Sequence, residues 1–566
     1  VIGNSVTLRA THGAIGFITD FLEIDSSQQA FGKVDALAHD GVYLRETAGD
    51  LNLGAVASME SNVMLITLSG SMLDADDDEA ADIQGKDIDL VASGGIGIAT
   101  NDVEIYGAGV GQEQNVMQID EAVPGVGRLF VDALNSVYLT EVSAALNVLM
   151  VTSALGAVRL TVNDSAREHE DLNMILSGQT QLGVSIANGL ISAPGAVEIW
   201  AGDDVNVPLG TLIRSDLSVL VRGDSNTPDG DTDIGTTIDI QGDVQAPNVV
   251  IAGGRDLDFI QLNNLSGINA GNVTEVRGNE SDDRIFIRAV SDVAGTTTTL
   301  FGNAGADRFF LSSNATKALF VTGGVYDDDA NPLARLSGDL THLGGLVINT
   351  GAGGNGGTVD GIFLSADASA TDLSGTLGVG TVSGFGMTGS ISYSADVGTA
   401  LLLELGSQND TVQVDGMAAN VAAYVYGGPG NDILNAGSSA TPVGSAISGI
   451  VAFVGEDGID TLNVYGDASS VSGQLTAIGV TGMGMGTNVQ VSVHNDGFGA
   501  GYDITDASFP AAIYYAKREI LDGVETVSSS VEAVNVLLGA GNDVFDIDST
   551  YAYGTTNVQG GAGMDT

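Results

Sequence analysis

The sequence is poor in several residue types, and each shortage narrows the class of protein. It contains no cysteine, nine prolines and one tryptophan in 566 residues. The lack of cysteine removes disulfides from the fold and is compatible with bacterial secretion. Basic residues are also scarce, with 18 Lys and Arg against 72 Asp and Glu, which gives a net charge of −54. Such a charge repels nucleic acid and anionic lipid, so we expect neither class of partner.

Long apolar runs are missing as well. The longest uncharged apolar stretch, 142–158, contains Ser, Asn and Thr and is short for a membrane span. We predict buried strands there and no membrane span. No secretion signal is visible, because the chain opens at Val1 in a strand-like phrase and ends at Thr566 inside a repeated motif. We therefore expect both ends to be cuts through a longer array, or open ends that stack on a neighbour.

Glycine and aspartate are the abundant residues. The chain has 80 glycines, and its acidic residues divide into 54 Asp and 18 Glu. Aspartate favours turns and cation sites, whereas glutamate favours helices. A chain of this length exceeds one ordinary core, so several domains or a repeat array are expected.

A glycine-rich phrase that ends in aspartate recurs in the second half, and we call it the corner phrase. Its clearest copies are GGPGND (Gly427–Asp432) and GGAGMD (Gly560–Asp565), and alternating apolar residues follow most copies. Successive aspartates lie 25 and 24, then 22 and 28, then 22 residues apart. This spacing suits one coil of a parallel β-solenoid, with one acidic corner per coil. The final aspartates are Asp258, Asp283, Asp307, Asp410, Asp432, Asp460, Asp543 and Asp565.

The first half carries a different repeat. Val42–Glu46 (VYLRE) recurs as Val137–Glu141 (VYLTE), and apolar and polar residues alternate with the period of a strand. We place a boundary near residue 245, giving domains 1–245 and 246–566. Helix is expected only in short segments such as Ala511–Ile520.

A longer repeat also runs through the second half. Gly384–Met387 returns as Gly482–Met485, and the second copy carries roughly 35 extra residues, which predicts an insertion at about 494–529.

Two resemblances follow from these motifs. The first half resembles the filamentous-haemagglutinin-like repeats of giant bacterial exoproteins. The second half resembles a spaced form of the haemolysin-type (RTX) calcium-binding nonapeptide G-G-x-G-x-D-x-U-x, most closely at Gly427–Leu434, Leu538–Phe545 and Gly560–Asp565. The phrase occurs once per coil rather than in tandem, so we predict a roughly three-sided β-helix instead of a two-strand β-roll. The resemblance implies a secreted, calcium-binding protein of the bacterial cell surface.

The acidic corners are the main candidate metal sites. Calcium takes six to eight oxygen ligands, and stacked glycine-rich turns offer carbonyls beside each carboxylate. The alternative is that these aspartates hydrogen-bond the backbone and cap strands. Two other acidic groups are candidate cation sites or solvated loops: Asp74, Asp76 and Asp78, and Asp224, Asn226, Asp229, Asp231 and Asp233.

Catalysis is the weaker hypothesis. Lys and Arg are scattered, the five histidines share no motif, and no nucleophile motif or phosphate loop occurs. We predict no enzyme, with a polysaccharide lyase or hydrolase as the rival. A binding module is the nearer rival, and Phe498–Tyr515 is its candidate surface, with a hydrophobic cover over the coils as the other interpretation. The aromatic residues of that surface are Tyr502, Phe509, Tyr514 and Tyr515.

The sequence therefore predicts an all-β, right-handed parallel β-helix of about 22–28 residues per coil. Twenty-odd coils at a strand spacing of roughly 4.8 Å would make a rod on the order of 100 Å long. The predicted function is that of a Ca²⁺-stabilised extracellular scaffold, filament or adhesin stalk on a bacterial surface. A glycan- or cell-binding adhesin module is the alternative. We expect head-to-tail self-association with copies of itself or with the rest of a longer chain.

Overall fold

A computed structural model describes most of the chain. The described residues are 1–28, 32–107, 127–164, 170–176, 180–181, 184–185, 189–224, 235–262, 272–290, 295–313, 338–353, 360–394, 399–486, 512–521 and 524–566. Nearly all regular structure in these ranges is β-strand, and one short helix, α1 (Val443–Ala446), accompanies the strands. No helix in this part of the chain has the length and apolar character needed to cross a membrane.

The chain forms two compact units. Unit 1 comprises Val1–Val276 with Val293–Thr296, and unit 2 comprises Arg277–Asp292 with Thr297–Thr566. The strand β27 (Val273–Asn279) contains the division between them. The predicted change at residue 245 concerns the type of sequence repeat, and it stays a prediction.

Unit 1 is built from two families of parallel strands. One ladder runs β1–β3–β5–β8–β10–β12–β14–β19–β22–β25, and the other runs β2–β4–β6–β9–β11–β13 before it divides into β15–β20–β23–β26 and β18–β21–β24. The strands are β1 Val6–Ala10, β2 Leu22–Ile24, β3 Val34–Ala38, β4 Val42–Glu46, β5 Leu51–Ser58, β6 Val63–Thr67, β7 Met72–Asp74, β8 Ile83–Gln84, β9 Ile88–Ala92, β10 Val103–Tyr106, β11 Leu129–Ala133, β12 Val137–Glu141, β13 Leu146–Ser153, β14 Val158–Val162, β15 Leu172–Met174, β16 Thr180–Gln181, β17 Val184–Ser185, β18 Leu190–Ala193, β19 Val197–Trp200, β20 Val205–Val207, β21 Leu212–Ser215, β22 Ser218–Arg222, β23 Thr237–Ile240, β24 Asp243–Gln245, β25 Asn248–Ala252 and β26 Phe259–Leu262.

Alternation along each strand fills the interior of unit 1. Val42, Leu44 and Glu46 of β4 are buried while the residues between them are half-buried, so one side of the strand faces the core. Val63 is the register partner of Ile88, 25 residues later. Leu190 partners Leu212, 22 residues later. One coil of backbone therefore returns to the ladder after the predicted interval.

Unit 2 repeats this architecture. Its ladders are β28–β30–β33–β37–β39–β41–β45, β34–β38–β40–β42–β48–β50 and β29–β31–β36, all with parallel pairing. The strands are β28 Arg284–Ile287, β29 Thr297–Gly305, β30 Arg308–Leu311, β31 Leu346–Asn349, β32 Ala352–Gly353, β33 Asp360–Ser365, β34 Ser374–Gly378, β35 Thr381–Gly384, β36 Ser390–Ser394, β37 Thr399–Glu404, β38 Thr411–Val414, β39 Val421–Tyr426, β40 Ile433–Ala436, β41 Ile450–Val454, β42 Thr461–Tyr465, β43 Ser472–Leu475, β44 Gly479–Gly482, β45 Ala512–Tyr514, β46 Lys517–Leu521, β47 Val524–Ser528, β48 Ala533–Leu537, β49 Val544–Ile547 and β50 Thr555–Gln559.

Identical side chains stack along the core of unit 2. Phe286, Phe310 and Phe363 occupy matching register positions on β28, β30 and β33. Their ring centroids are 4.5 and 4.7 Å apart with nearly parallel planes. Together with the parallel ladders, these stacks confirm the predicted all-β parallel β-helix.

The two copies of the longer repeat form the same local structure. In each copy a short antiparallel pair leaves the parallel ladder, β34–β35 in the first and β43–β44 in the second. Phe385 and Met483 both have φ near 51° in the following turn. The sequence similarity between 384–387 and 482–485 thus corresponds to one turn geometry used twice.

The helix expected at Ala511–Ile520 is wrong. Residues 512–514 form β45, which pairs with β41 and β44, and residues 517–521 form β46, which pairs with β47. The local helix preference of Ala, Lys, Arg and Glu is overridden, because a free strand edge of β41 offers Ile513 backbone partners and a buried position. Residue 511 and most of the predicted insertion, 494–511 and 522–523, lie outside the described residues.

Acidic corners and a candidate metal centre

The corner aspartates of unit 2 hold the backbone of the coil that precedes them. The backbone N–H of Asp410 donates to Oδ1 of Asp432, and the N–H of Asp432 donates to Oδ1 of Asp460, both at 2.7 Å. The same bond joins Asp283 to Asp307 at 3.0 Å and Asp543 to Asp565 at 3.1 Å. Each corner carboxylate therefore caps a strand that lies 22 to 28 residues earlier in the chain.

The remaining corners follow the same rule. Oδ1 of Asp410 accepts from the N–H of Leu373, and Oδ1 of Asp543 accepts from the N–H of Val471. In unit 1, Oδ1 of Asp258 accepts from the N–H of Thr236 at 2.9 Å. All of these aspartates except Asp565 are almost completely buried.

Two further acids, which the sequence analysis missed, extend these ladders. The N–H of Asp307 donates to Asp360 at 3.0 Å, across 53 residues. The N–H of Asp460 donates to Glu532 at 2.7 Å, across 72 residues. Neither acid ends a corner phrase, so the motif gave no signal for them, and their place became visible only once the coils were stacked.

The first glycine of the corner phrase makes room for the second carboxylate oxygen. A Cβ on Gly427 would lie 2.4 Å from Oδ2 of Asp432, and one on Gly455 would lie 2.2 Å from Oδ2 of Asp460. Such distances are too short for any real side chain, so the phrase needs glycine five residues before its aspartate. The spacing between Gly and Asp is explained by packing within one turn.

The residue before the aspartate forms a second ladder that runs in the opposite direction. Oδ1 of Asn409 accepts from the N–H of Asn431, and Oδ1 of Asn431 accepts from the N–H of Ile459, both at 2.8 Å. Oδ1 of Asn542 accepts from the N–H of Met564 at the same distance. The Asn side chain thus reaches the following coil while the neighbouring Asp reaches the preceding one. The Asn-Asp dipeptide ties a coil on both sides.

Burial makes the corner carboxyls hold protons at higher pH than usual. It raises the pKa of Asp258 to about 8 and those of Asp307 and Asp432 to about 7. Backbone N–H donors oppose this rise in each case, and neighbouring carboxylates add to it. Within the described residues, Oδ2 of Asp307, Asp432, Asp460 and Asp543 is buried and has no hydrogen-bond partner. These oxygens would be satisfied by a proton or by a cation.

The corner geometry supports the capping alternative raised from the sequence. One oxygen of each carboxylate is already used by the backbone, and glycine packs against the other. Calcium at the corners stays a prediction.

A tighter acidic group lies in unit 1, and we call it the Asp74 cluster. It consists of Asp74 at the end of β7, Asp82 just before β8 and Glu104 on β10. One carboxylate oxygen from each residue lies within 4.8 Å of the other two. The three residues are only 9%, 4% and 6% exposed, respectively.

The topology explains how the Asp74 cluster comes together. Ile83 and Ile105 are register partners on β8 and β10, so the residues before them are adjacent across the ladder. The N–H of Asp82 donates to the carbonyl of Glu104 at 2.9 Å, and the N–H of Glu104 donates to Oδ2 of Asp82 at 3.2 Å. The loop between β7 and β8 brings Asp74 to the same place.

The Asp74 cluster is electrostatically frustrated. Burial, and then the charge of Asp74, raise the pKa of Asp82 to about 9. Burial likewise raises the pKa of Glu104 to about 7, with Asp74 and Asp102 adding to the rise. Oδ2 of Asp74 and Oε2 of Glu104 are buried and have no hydrogen-bond partner among the described residues.

The other predicted ligands of this loop point elsewhere. Asp76 is exposed and forms a salt bridge with Lys33 at 2.9 Å. Asp78 is exposed and accepts from the N–H of Ala80 at 2.8 Å. The alternate spacing of Asp74, Asp76 and Asp78 therefore suggested the right loop with the wrong partners for Asp74. Asp82 had been noted as a nearby acid, but Glu104 belongs to another coil and carried no local signal.

The second predicted loop is only partly described. Asp224 has a positive φ of 44°, and its Oδ2 accepts from the N–H of Arg255 at 2.9 Å. Asn226, Asp229, Asp231 and Asp233 lie outside the described residues.

Unit 1 contains one more group of carboxylates close enough to share an ion, formed by Asp164, Glu170 and Asp203. Here the N–H of Glu170 already donates to Oδ2 of Asp203 at 2.7 Å. The group therefore resembles the corners in using a carboxylate to hold backbone.

The aromatic surface proposed at Phe498–Tyr515 is described at its end only. Tyr515 is 1% exposed, and its hydroxyl donates to the carbonyl of Thr476 at 2.7 Å. That position fits the hydrophobic-cover interpretation for Tyr515. Tyr514 is half-buried on β45, and Tyr502 and Phe509 lie outside the described residues.

Comparison with known proteins leaves the structure as the main source of functional evidence. No family model matches the sequence, and neither the curated proteins nor the solved structures give a match.

Proposed function

We propose that this chain is an extracellular structural protein of a bacterial surface, a β-helical scaffold that forms part of a filament, matrix or adhesin stalk. The observation that carries the proposal is the pair of opposed ladders at the corners of unit 2. Asp432 holds the coil before it and Asn431 holds the coil after it. Polar side chains at these corners thus fasten coil to coil, which is the arrangement a load-bearing repeat protein needs.

A second ladder supports the same proposal. Asn435, Asn463 and Asn535 occupy one register position on β40, β42 and β48. The side-chain amide of Asn463 donates to Asn435, and that of Asn535 donates to Asn463, both at 2.8 Å. These bonds add a continuous side-chain link parallel to the backbone ladder.

Calcium forms part of the proposal as the ion that neutralises acidic sites outside the cell. The net charge of −54 and the raised pKa values of buried aspartates favour cation binding. We propose no enzymatic activity. Release of unsaturated sugars from polysaccharide by the purified chain would contradict that part.

Self-association tests the scaffold function. The purified chain is examined by electron microscopy and light scattering over a range of concentrations, with calcium and with EGTA, alongside a binding assay on glycans. We expect ordered assemblies that lengthen with concentration and no saturable glycan binding. A chain that stays monomeric throughout contradicts the scaffold proposal.

One observation favours the adhesin module as a second candidate. A surface cavity of about 390 Å³ in unit 2 is lined by Arg277, Asn279, Glu280, Phe301 and Asn303. The guanidinium carbon of Arg277 lies 5.7 Å from the centroid of the Phe301 ring. An aromatic ring beside amide and charged groups suits a sugar ring, because apolar and hydroxyl faces are both satisfied.

Glycan binding separates the two candidates. The adhesin hypothesis expects saturable binding that the Phe301→Ala variant loses and that a Tyr553→Ala variant, altered at an exposed aromatic outside the cavity, retains. Equal binding by both variants would exclude this cavity as the glycan site.

A further inference from the structure

The Asp74 cluster differs from the acidic corners in one respect that matters for a ligand. At the corners each carboxylate belongs to a separate coil position and caps backbone. In the cluster, three carboxylates converge, with one oxygen of each within 4.8 Å of the others. Converging buried carboxylates repel one another unless protons or a cation lie between them.

Unused oxygens point into this cluster. Oδ2 of Asp74 and Oε2 of Glu104 are buried without a hydrogen-bond partner among the described residues, on side chains at least nine-tenths buried. A buried carboxylate oxygen with no donor costs free energy of order 1–3 kcal/mol or more. The nearby basic group does not relieve it, because Lys33 pairs with Asp76 instead.

The spacing suits a hard cation. Ca²⁺ binds oxygen at roughly 2.3–2.6 Å, so two of its ligands can lie up to about 5 Å apart. The observed limit of 4.8 Å falls inside that range. Mg²⁺ requires oxygen ligands within roughly 4.2 Å of each other and a near-ideal octahedron. Carboxylate oxygens without nitrogen or sulfur ligands select ions of this hard class.

We propose that Asp74, Asp82 and Glu104 bind one calcium ion that fastens the loop 75–81 to the coil of β10. Asp74 and Asp82 flank that loop, and Glu104 belongs to the next strand of the ladder. The ion would therefore join both ends of the loop to a neighbouring coil. This inference deepens the calcium part of the proposed function and rests on it only for the extracellular supply of the ion.

Calcium titration of the full chain tests the site. After dialysis against EGTA and its removal, wild-type chain is titrated by isothermal calorimetry beside an Asp82→Asn/Glu104→Gln variant. The matched control is Asp76→Asn/Asp78→Asn, which removes two charges from the same loop at exposed positions. We expect the cluster variant to bind one ion fewer, or that ion at least tenfold more weakly, while the control matches wild type. Equal stoichiometry and affinity in all three proteins would overturn the proposal.

Mg²⁺ is titrated in parallel and should bind the cluster more weakly. Binding of Mg²⁺ as tight as that of Ca²⁺ would overturn the assignment of calcium.

Stability in EGTA provides the control for folding. Both substitutions keep side-chain size and remove like-charge repulsion, so the cluster variant should melt at or above the temperature of wild type without calcium. With calcium, wild type should gain stability that the variant does not gain. If the double variant fails to fold, Glu104→Gln alone is titrated against the same criterion. Failure of this site would leave the assembly experiment unaffected, so the two proposals can fail separately.

Discussion

At the scale of single residues, the corner aspartate combines two tasks that the sequence motif does not separate. Oδ1 of Asp432 caps the strand of the preceding coil, and Oδ2 packs on the glycine that opens its own phrase. Both contacts are buried, so this side chain is part of the folded core although it is ionisable.

Removal of one corner carboxylate should cost stability. Asp432→Ala leaves the N–H of Asp410 buried without its acceptor, and we expect the free energy of unfolding to fall by about 1–3 kcal/mol. Denaturant unfolding followed by circular dichroism measures the change. Asp457→Ala, at an exposed carboxylate of the next phrase, serves as the control and should change stability little. A loss of similar size in both variants would mean that charge, rather than capping, explains the effect.

The glycine of the phrase should be equally sensitive. In Gly427→Ala the new methyl group would lie 2.4 Å from Oδ2 of Asp432, so we expect a loss of about 1–3 kcal/mol from overpacking. Gly554→Ala is the control, since its nearest contact would be 3.2 Å. Thermal unfolding of both variants tests the expectation, and a Gly427→Ala protein as stable as its control would show that the turn relaxes freely.

At the scale of strands and turns, the side-chain ladders outside the core are the distinctive feature. Asn463 is the middle member of its ladder, since it donates to Asn435 and accepts from Asn535. Its contribution therefore depends on two neighbouring coils rather than on its own strand.

Truncation within the asparagine ladder should cost more than truncation at its margin. Asn463→Ala removes two half-buried hydrogen bonds, and we expect a loss of about 1–2 kcal/mol. Asn557 pairs at the same register position on β50 and is exposed, so Asn557→Ala should be close to neutral. Chemical denaturation gives both values. Equal effects would argue that the amides contribute strand propensity alone.

Local pattern predicted much of the fold at this scale. Alternation in Val42–Glu46 and the interval between corner phrases indicated strands and coil length correctly, because both signals are contained within one coil. The same reasoning failed for 511–520, where the partner strand β41 decides the structure.

The candidate site was predictable only in part. Asp74 was found from its acidic loop, whereas Glu104 lies in an apolar strand phrase whose polar face is covered by a different segment. Asp360 and Glu532 join the corner ladders across 53 and 72 residues without the glycine phrase. Contacts set by stacking of distant coils leave no mark in local sequence.

At the scale of the whole molecule, the buried acids couple stability to pH. Asp258, Asp307 and Asp432 have pKa values of about 8, 7 and 7 in the folded chain against an ordinary value of 3.8. The folded state thus holds protons that the unfolded chain releases, and its stability must fall as pH rises from about 4 to about 8. Thermal unfolding in EGTA across that range should show decreasing midpoints. A rising or flat profile would contradict the raised pKa values.

Calcium should oppose this loss if acidic sites bind it. A ligand held by the folded state alone adds about 2.7 kcal/mol at a hundred times its dissociation constant. We therefore expect the unfolding midpoint at pH 8 to rise with calcium and to drop on chelation, measured by calorimetry on one sample. Identical melting with and without the ion would show that the corner aspartates are caps and nothing more.

The corner contact also explains how such a chain can change its length during evolution. The same N–H to carboxylate bond closes segments of 22, 28, 53 and 72 residues. Loop-closure entropy grows only with the logarithm of length, so the longest of these closures costs about 1 kcal/mol more than the shortest. Inserted segments between corners are therefore nearly neutral for the framework. New surface loops can be gained, exchanged or engineered into this chain while its coils remain in register.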